Sequence, residues 1–379
     1  MNAIWCRGVV LLALLAAALL SPAGAHGDGC PLPCSGQSSS PASAKYLYVQ
    51  PQGAGGRLLA YDTATGDVAF GFPAGRASGD GFWFHTAAPS GRDTAFARWQ
   101  LGTGRAVSAW TLPGRWQLAG VSPDGRWLAL SRPQTEIAIV DAVTTGVVHR
   151  LRLDGDFEVE TVSVDGKRLF LIEHLDDGRY SVRLYDLRGE KLIASPLAAK
   201  GEAPVMAGLA WSGVASPDGR WLLTLYLNTQ RDQAFVHALD LKRSAPLCID
   251  LPSGAGKLER LKRYALKLSP DSRTLYAANP ALGVVAEIDL SRTRVVERER
   301  FAAGALRAAP QRGATATISR DGRRLVFTGG RDLWAYDTRA NRVRGPLRTG
   351  GPLLGLGFGA GDERVHALRA DGRLLSFPA

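Results

Sequence analysis

The sequence predicts an all-β protein assembled from a repeated four-stranded unit, and three observations predict it. A turn signal followed by a strand-like run recurs along the chain. An Asp that closes a later strand recurs in step with it. Helical periodicity over windows of about 11 residues or more is essentially absent, which argues against alternating strands and helices.

The first marker is clearest in Ser216-Pro217-Asp218-Gly219-Arg220-Trp221-Leu222-Leu223. Pro fixes φ, Asp bonds back to its own backbone, and Gly accepts φ > 0. The bulky residues that follow suit a half-buried strand. Ser122-Pro123-Asp124-Gly125-Arg126-Trp127-Leu128-Ala129 is nearly the same octamer. Ser163-Val164-Asp165-Gly166, Ser269-Pro270-Asp271-Ser272 and Ser319-Arg320-Asp321-Gly322 are looser copies. Placed beside Gly or Ser in a tight turn, these Asp residues shape the turn and do not ring a metal.

The second marker is fullest in Tyr61-Asp62-Thr63-Ala64-Thr65-Gly66. It returns at Val140-Asp141, Tyr185-Asp186, Leu239-Asp240, Ile288-Asp289 and Tyr336-Asp337, with Trp99-Gln100 as a copy lacking the Asp. Successive copies lie 38 to 54 residues apart, the longest gap running from Asp186 to Asp240. A period of that length with four short strands per unit is that of a β-propeller blade. One unit reads cleanly, with strand a at 118–121, b at 127–130, c at 137–140 and d at 147–153. Eight repeats are counted if Leu374-Leu375-Ser376-Phe377 is the last strand c; a seven-bladed ring is the alternative, because the first copy lacks an obvious strand a and the last lacks strand d. Packing blades face to face covers both sheet faces and leaves short edges. The N- and C-terminal strands are expected to pair in one shared blade and close the ring.

Three regions follow. Residues 1–25 read as a secretory signal peptide, with Arg7 ahead of an apolar run from Val9 to Leu20 and Ala23-Gly24-Ala25 for cleavage. Residues 26–44 are a flexible Gly/Ser/Pro-rich lead-in holding Cys30 and Cys34, and residues 45–379 form the propeller. No later segment approaches about 18 apolar residues, so no membrane span is expected after cleavage, and the protein is expected in the periplasm or outside the cell. In an oxidising compartment Cys30 and Cys34 would most simply bridge, leaving Cys248 as a buried thiol. Gly27-Asp28-Gly29 ahead of Cys30 is a poor lipoprotein processing site. His26, Cys30 and Cys34 form the one set with soft-metal chemistry, although a disulfide would consume both thiols. No cofactor is otherwise expected.

Hydrophobic content of 45% and charged content of 21% are those of a folded chain. The net charge of +11 is spread over scattered arginines; the densest basic run, Lys257-Leu258-Glu259-Arg260-Leu261-Lys262-Arg263, reads as solvated surface, and no specific nucleic-acid partner is expected. The chain has no Gly-x-Ser-x-Gly elbow, Cys-x-x-Cys-His, Walker loop or Gly-x-Gly-x-x-Gly after a strand. Its six histidines show no metal-ligand spacing, and most of its nine tryptophans read as wedges between blades. Catalytic residues are therefore not assigned.

Function is expected on variable loops carried by the rigid ring. The longer b-to-c connections are 132–136, 173–179 and 228–233, and segments 200–207 and 254–263 lie on the same face. The candidate binding residues are Arg132, Glu136, Glu173, His174, Asp176, Asp177, Asn228, Arg231 and Asp232.

Ser-Pro-Asp-Gly-Arg-Trp-Leu at 122 and 216, Thr274-Leu275-Tyr276-Ala277-Ala278-Asn279 and Asp62-Thr63-Ala64-Thr65-Gly66 resemble the YVTN-type β-propeller repeat family, within the broader group of quinoprotein amine dehydrogenase heavy chain-like and WD40-like propellers. The resemblance covers roughly residues 46–377. It implies architecture and leaves activity open, since such rings serve electron-transfer enzymes, hydrolases and pure scaffolds. The expected function is a secreted or periplasmic, monomeric scaffold that recognises a protein or small polar ligand through one face without catalysis. The alternative is a propeller enzyme or enzyme subunit, either an amine dehydrogenase-like heavy chain or a lactonase-like hydrolase.

Overall fold

A computed structural model describes residues 45–50, 56–132, 136–175, 178–199, 203–253, 258–304 and 314–379. The chain winds eight antiparallel sheets into a propeller. Blade 1 has three strands, Tyr46–Val49, Leu58–Asp62 and Val68–Phe72. Blade 2 runs Gly75–Ala77, Trp83–Ser90, Asp93–Gln100, Arg105–Leu112, and blade 3 runs Gln117–Val121, Trp127–Arg132, Glu136–Asp141, Gly146–Arg152. Blade 4 comprises Asp156–Val162, Arg168–His174, Arg179–Asp186 and Lys191–Leu192, with Met206–Ala207 added to its third strand. Blade 5 is Leu209–Ala215, Trp221–Asn228, Gln233–Asp240, Ala245–Asp250; blade 6 is Ala265–Leu268, Thr274–Asn279, Val284–Asp289, Arg294–Arg300. Blade 7 is Ala314–Ile318, Arg324–Gly329, Leu333–Asp337, Arg342–Leu347, and blade 8 closes the count with Leu353–Phe358, Arg364–Arg369 and Leu374–Pro378. The helical content of the described residues is one turn at Leu258–Leu261 and a 3-10 turn at Ala360–Asp362.

The two sequence markers turn out to be one device. In the copies at 122, 163, 216, 269 and 319 the Ser hydroxyl donates to the Asp carboxylate two residues on at 2.6 Å. The same oxygen accepts the amide five residues on, as Trp221 N donates to Ser216 Oγ at 2.8 Å. Ser78 and Asp80 make the same pair in blade 2, a copy the sequence reading passes over. Gly219 takes φ +67, and Ser272 holds the equivalent seat in blade 6 at φ +57. Arg220 then crosses from strand b to the Asp that ends strand c, with Nη2 2.9 Å from Asp240 Oδ2, while its guanidinium lies 4.8 Å from the Trp221 ring. Arg126, Asp141 and Trp127 repeat this arrangement in blade 3. Antiparallel register places Trp127 opposite Asp141 and Trp221 opposite Asp240, which is why the markers keep phase.

Alternation explains the long apolar runs. Along Trp221–Asn228, Leu223, Leu225 and Leu227 face blade 6, whereas Leu222 and Tyr226 face blade 4. A strand covered on both sides has no polar face, so its sequence is continuously hydrophobic. Among the described residues there are eight buried apolar clusters, one at each blade junction. Trp116, Trp221 and Trp334 are buried in these wedges.

Ring closure differs from expectation. Among the described residues no strand of blade 1 pairs with a strand of blade 8. The seam is made by side chains instead, with Leu47, Val49 and Tyr61 packed on Leu368 and flanked by Leu354 and Leu374. The reason is phase. Asp62 ends the second strand of blade 1, so the described chain enters the ring at a strand b and brings no outer strand to lend to blade 8.

Candidate functional site

Neighbouring propeller blades normally meet along their innermost strands. Those of blades 3 and 4, 6 and 7, and 7 and 8 lie in close contact, whereas those of blades 4 and 5 stand further apart. Both strands at this junction carry a bulge, between Val159 and Thr161 in blade 4 and between Ala210 and Ser212 in blade 5. A bulge bends its strand and re-aims side chains. The gap holds a cavity of about 450 Å³, within the range of about 300–1,000 Å³ common for small-molecule sites.

The innermost strand of blade 4 supplies one wall. Asp156, Glu158 and Glu160 alternate along it and all three line the cavity, because side chains two apart share a face. Glu158 Oε2 lies 3.3 Å from His174 Nε2, and this hydrogen bond holds the imidazole above its ordinary pKa. Glu160 sits deepest, with part of its surface open to the cavity. Its carboxyl is pushed up to about 7 by burial and by Glu158; the Thr224 hydroxyl, 3.5 Å from Oε1, and Arg76 of blade 2 pull the other way.

Aromatic rings form the opposite wall. Tyr180 and Tyr226 stack across the junction with centroids 5.0 Å apart, and Tyr226 stacks on Phe235 at 5.4 Å. Burial drives both Tyr180 and Tyr226 well above the ordinary phenol range. Tyr180 is 4% exposed and its hydroxyl lies against that of Tyr226. Behind this wall the Cys248 thiol touches Met206 at 3.4 Å. At the mouth, Asn228 Oδ1 accepts the Gln230 and Arg231 amides at 3.1 Å each and so fixes the rim turn.

The candidate residues chosen from the sequence divide into three groups. His174 and Asn228 line the cavity. Arg132, Glu136 and Glu173 serve structure elsewhere. Arg132 donates to Pro113 O at 2.6 Å and to Glu136 at 3.3 Å while lying 3.9 Å from the Trp116 ring, and Glu136 also lies 3.7 Å from Arg150. Glu173 pairs with Arg183, whose Nη2 donates to Ile193 O and Ala194 O and thereby pins the link out of blade 4. Arg231 and Asp232 form the exposed tip of a blade 5 turn outside the cavity lining. Asp176, Asp177, His26, Cys30 and Cys34 lie outside the described residues.

Sequence reasoning missed Asp156, Glu158, Glu160, Tyr180, Thr224 and Tyr226. A signal was present in Asp156-Phe157-Glu158-Val159-Glu160, three acids at period two on an innermost strand, where Ala314–Ile318 and Leu353–Phe358 are uncharged. Among the described residues no group of three or more His, Cys, Asp or Glu side chains is placed to hold a metal ion, so these carboxylates line the wall without converging on a point.

No protein-family model matches the chain, and no curated protein matches it. Solved structures with a similar shape include Kuenenia stuttgartiensis hydrazine synthase, at 12% identity and TM-score 0.43 over 80% of this chain and 94% of that one. The Cps50 (Swd1) β-propeller domain of Myceliophteria thermophila gives 12% identity and TM-score 0.44 over 80% and 95%. The dihydro-heme d1 dehydrogenase NirN in complex with DHE gives 17% identity and TM-score 0.49 over 92% and 76%. These values say nothing of what the present chain binds.

Proposed function

We propose that this chain is a secreted or periplasmic binding propeller of the YVTN type that takes a small polar ligand into the cavity between blades 4 and 5, without catalysing its conversion. The observation that carries the reading is the splayed junction itself. A cavity lies between the innermost strands of blades 4 and 5, and its walls bear carboxylates, an imidazole, hydroxyls and two tyrosine rings. A pocket with mixed apolar walls and a few placed polar groups is the usual form of a ligand site. The signal-like residues 1–25 support export, and no helix among the described residues is long and apolar enough to cross a membrane.

The test is a thermal-shift screen of the purified chain against amines, sugars, organic acids and short peptides. Ser212→Trp and Thr224→Leu, which fill or apolarise the lining, serve as blocked controls after their folding has been checked by circular dichroism. A saturable rise in Tm for the native chain, absent from both variants, is the expected result. No compound acting in that pattern would overturn the reading.

A further inference from the structure

We infer that the ligand of this cavity is an organic cation whose charged head group sits on Glu160 beside the stacked tyrosines, an inference that rests on the cavity being a ligand site. Four observations converge on it. The chain carries +11 overall, yet the strand lining this cavity places Asp156, Glu158 and Glu160 on one face. Arg179 and His174 on the lining offset two of these three acids, which leaves Glu160 as the group for an incoming positive charge.

Glu160 is also under-used. A carboxylate offers about four acceptor positions, and its one hydrogen bond among the described residues is the 3.5 Å contact from Thr224. Tyr180 lines the same cavity, and its almost fully buried hydroxyl has, among the described residues, the Tyr226 hydroxyl close by. Two hydroxyls that share one contact leave acceptor positions open, and buried polar capacity is normally matched by protein, water or ligand. Finally, the Tyr180–Tyr226 stack gives the cavity an apolar wall, and a charge pair on Glu160 is stronger where water is excluded.

The alternatives fit less well. Carboxylates that do not gather into a metal-binding group suit a larger organic head group. Arg179 also lines the cavity and Arg76 lies within reach of Glu160. A polycation would meet these arginines, so a single positive charge on a neutral body is the better match.

The groups facing Glu160 are Glu158 on its own strand, Arg76 of blade 2, Tyr180 of blade 4, and Thr224 and Tyr226 of blade 5. Without a cation beside it, burial keeps the Glu160 carboxyl protonated up to about pH 7. Binding is then an exchange. The carboxylic acid loses its proton to solvent, and the resulting carboxylate accepts hydrogen bonds from the ammonium group, which keeps its own protons. One positive charge enters and one leaves.

Hexylamine, hexanol and hexanoate, which share a six-carbon skeleton and differ in head group, test this by titration calorimetry at pH 6. The amine is expected to bind about tenfold or more tighter than the alcohol, and Glu160→Gln is expected to remove that preference. Repeating the titration in buffers of different ionisation enthalpy should show a proton released by the native chain and none by Glu160→Gln. Equal binding of amine and alcohol, or an amine preference that survives Glu160→Gln, overturns the inference. So does a screen whose cavity-blocked hits are all neutral or anionic, an outcome that leaves the ligand site standing. A screen without any cavity-blocked hit removes the site and this inference together.

Discussion

Glu160 stays protonated into the neutral range because leaving water penalises its charged form more than Thr224 and Arg76 compensate. Its folded pKa therefore lies above its unfolded value, and the folded chain binds more protons between the two. Stability is expected to rise as pH falls from about 7 to about 4.5 and to decline as pH climbs through the folded value. His174, raised by Glu158, acts in the same direction, its contribution fading as pH rises through its own elevated pKa. Urea unfolding at pH 5 and pH 8 should show Glu160→Gln about 1–2 kcal/mol more stable than the native chain at pH 8, with a shallower pH slope, allowing for water in the cavity. Identical slopes would refute the assignment. Single residues were the least legible level of this sequence. Arg132, Glu136 and Glu173 have the charge of ligand contacts and read as loop residues in the sequence, yet they lie at strand ends and each is occupied by an arginine, a carboxylate or a carbonyl close by in space. Glu160 looks ordinary in sequence, and its chemistry comes from how two blades part around it.

At the scale of the blade, the Ser–Asp turn and the Arg–Asp bridge hold strands a, b and c in one register. Ser216→Ala leaves the Trp221 amide without its partner and Asp218 with the Arg220 amide alone, and a loss of about 1–2 kcal/mol in denaturant unfolding is expected. Asp240 is 2% exposed, accepts the Lys242 and Arg243 amides at 3.0 Å, and pairs with Arg220. Asp240→Ala should therefore be more damaging, by about 3 kcal/mol, because it strands a cation in a half-buried position. Asp186 caps Arg188 and Gly189 alone, so Asp186→Ala should cost about 1 kcal/mol. Equal midpoint shifts for Asp186→Ala and Asp240→Ala would deny the bridge its role. This level was readable because its signals are local: a turn and the strand after it are neighbours in sequence. Ser78-Gly79-Asp80-Gly81 has the same Ser-x-Asp-Gly form as the copies at 163 and 319, and its hydrogen bonds match theirs.

Across the whole molecule, repeat spacing was enough to announce a ring, and eight sheets decide between the two blade counts. Spacing carried no information on where the ring gapes. The longest interval, from Asp186 to Asp240, does include the link between blades 4 and 5, but insertion length alone does not say that two innermost strands separate. The manner of closure was hidden for a related reason, since side-chain seams leave no local pattern. Leu47 is essentially buried there. Leu47→Ala is expected to destabilise the chain by about 2–4 kcal/mol, and an unchanged unfolding midpoint would show that the seam bears little of the load.

A seam without shared strands has a kinetic side. Leu47 and Leu368 lie more than three hundred positions apart, whereas adjacent blades join over roughly one repeat. Loop-closure entropy grows logarithmically with chain length, so bringing the ends together demands about 2 kcal/mol more than docking consecutive blades. The open arc should thus assemble first and the ends meet last. In stopped-flow measurements Leu47→Ala should speed unfolding and leave refolding almost unchanged, while Leu223→Ala, inside the arc, should slow refolding. Amide exchange in Tyr46–Val49 and Leu353–Phe358 should run ahead of that in Trp221–Asn228, as the ring springs open at the place where it was last joined.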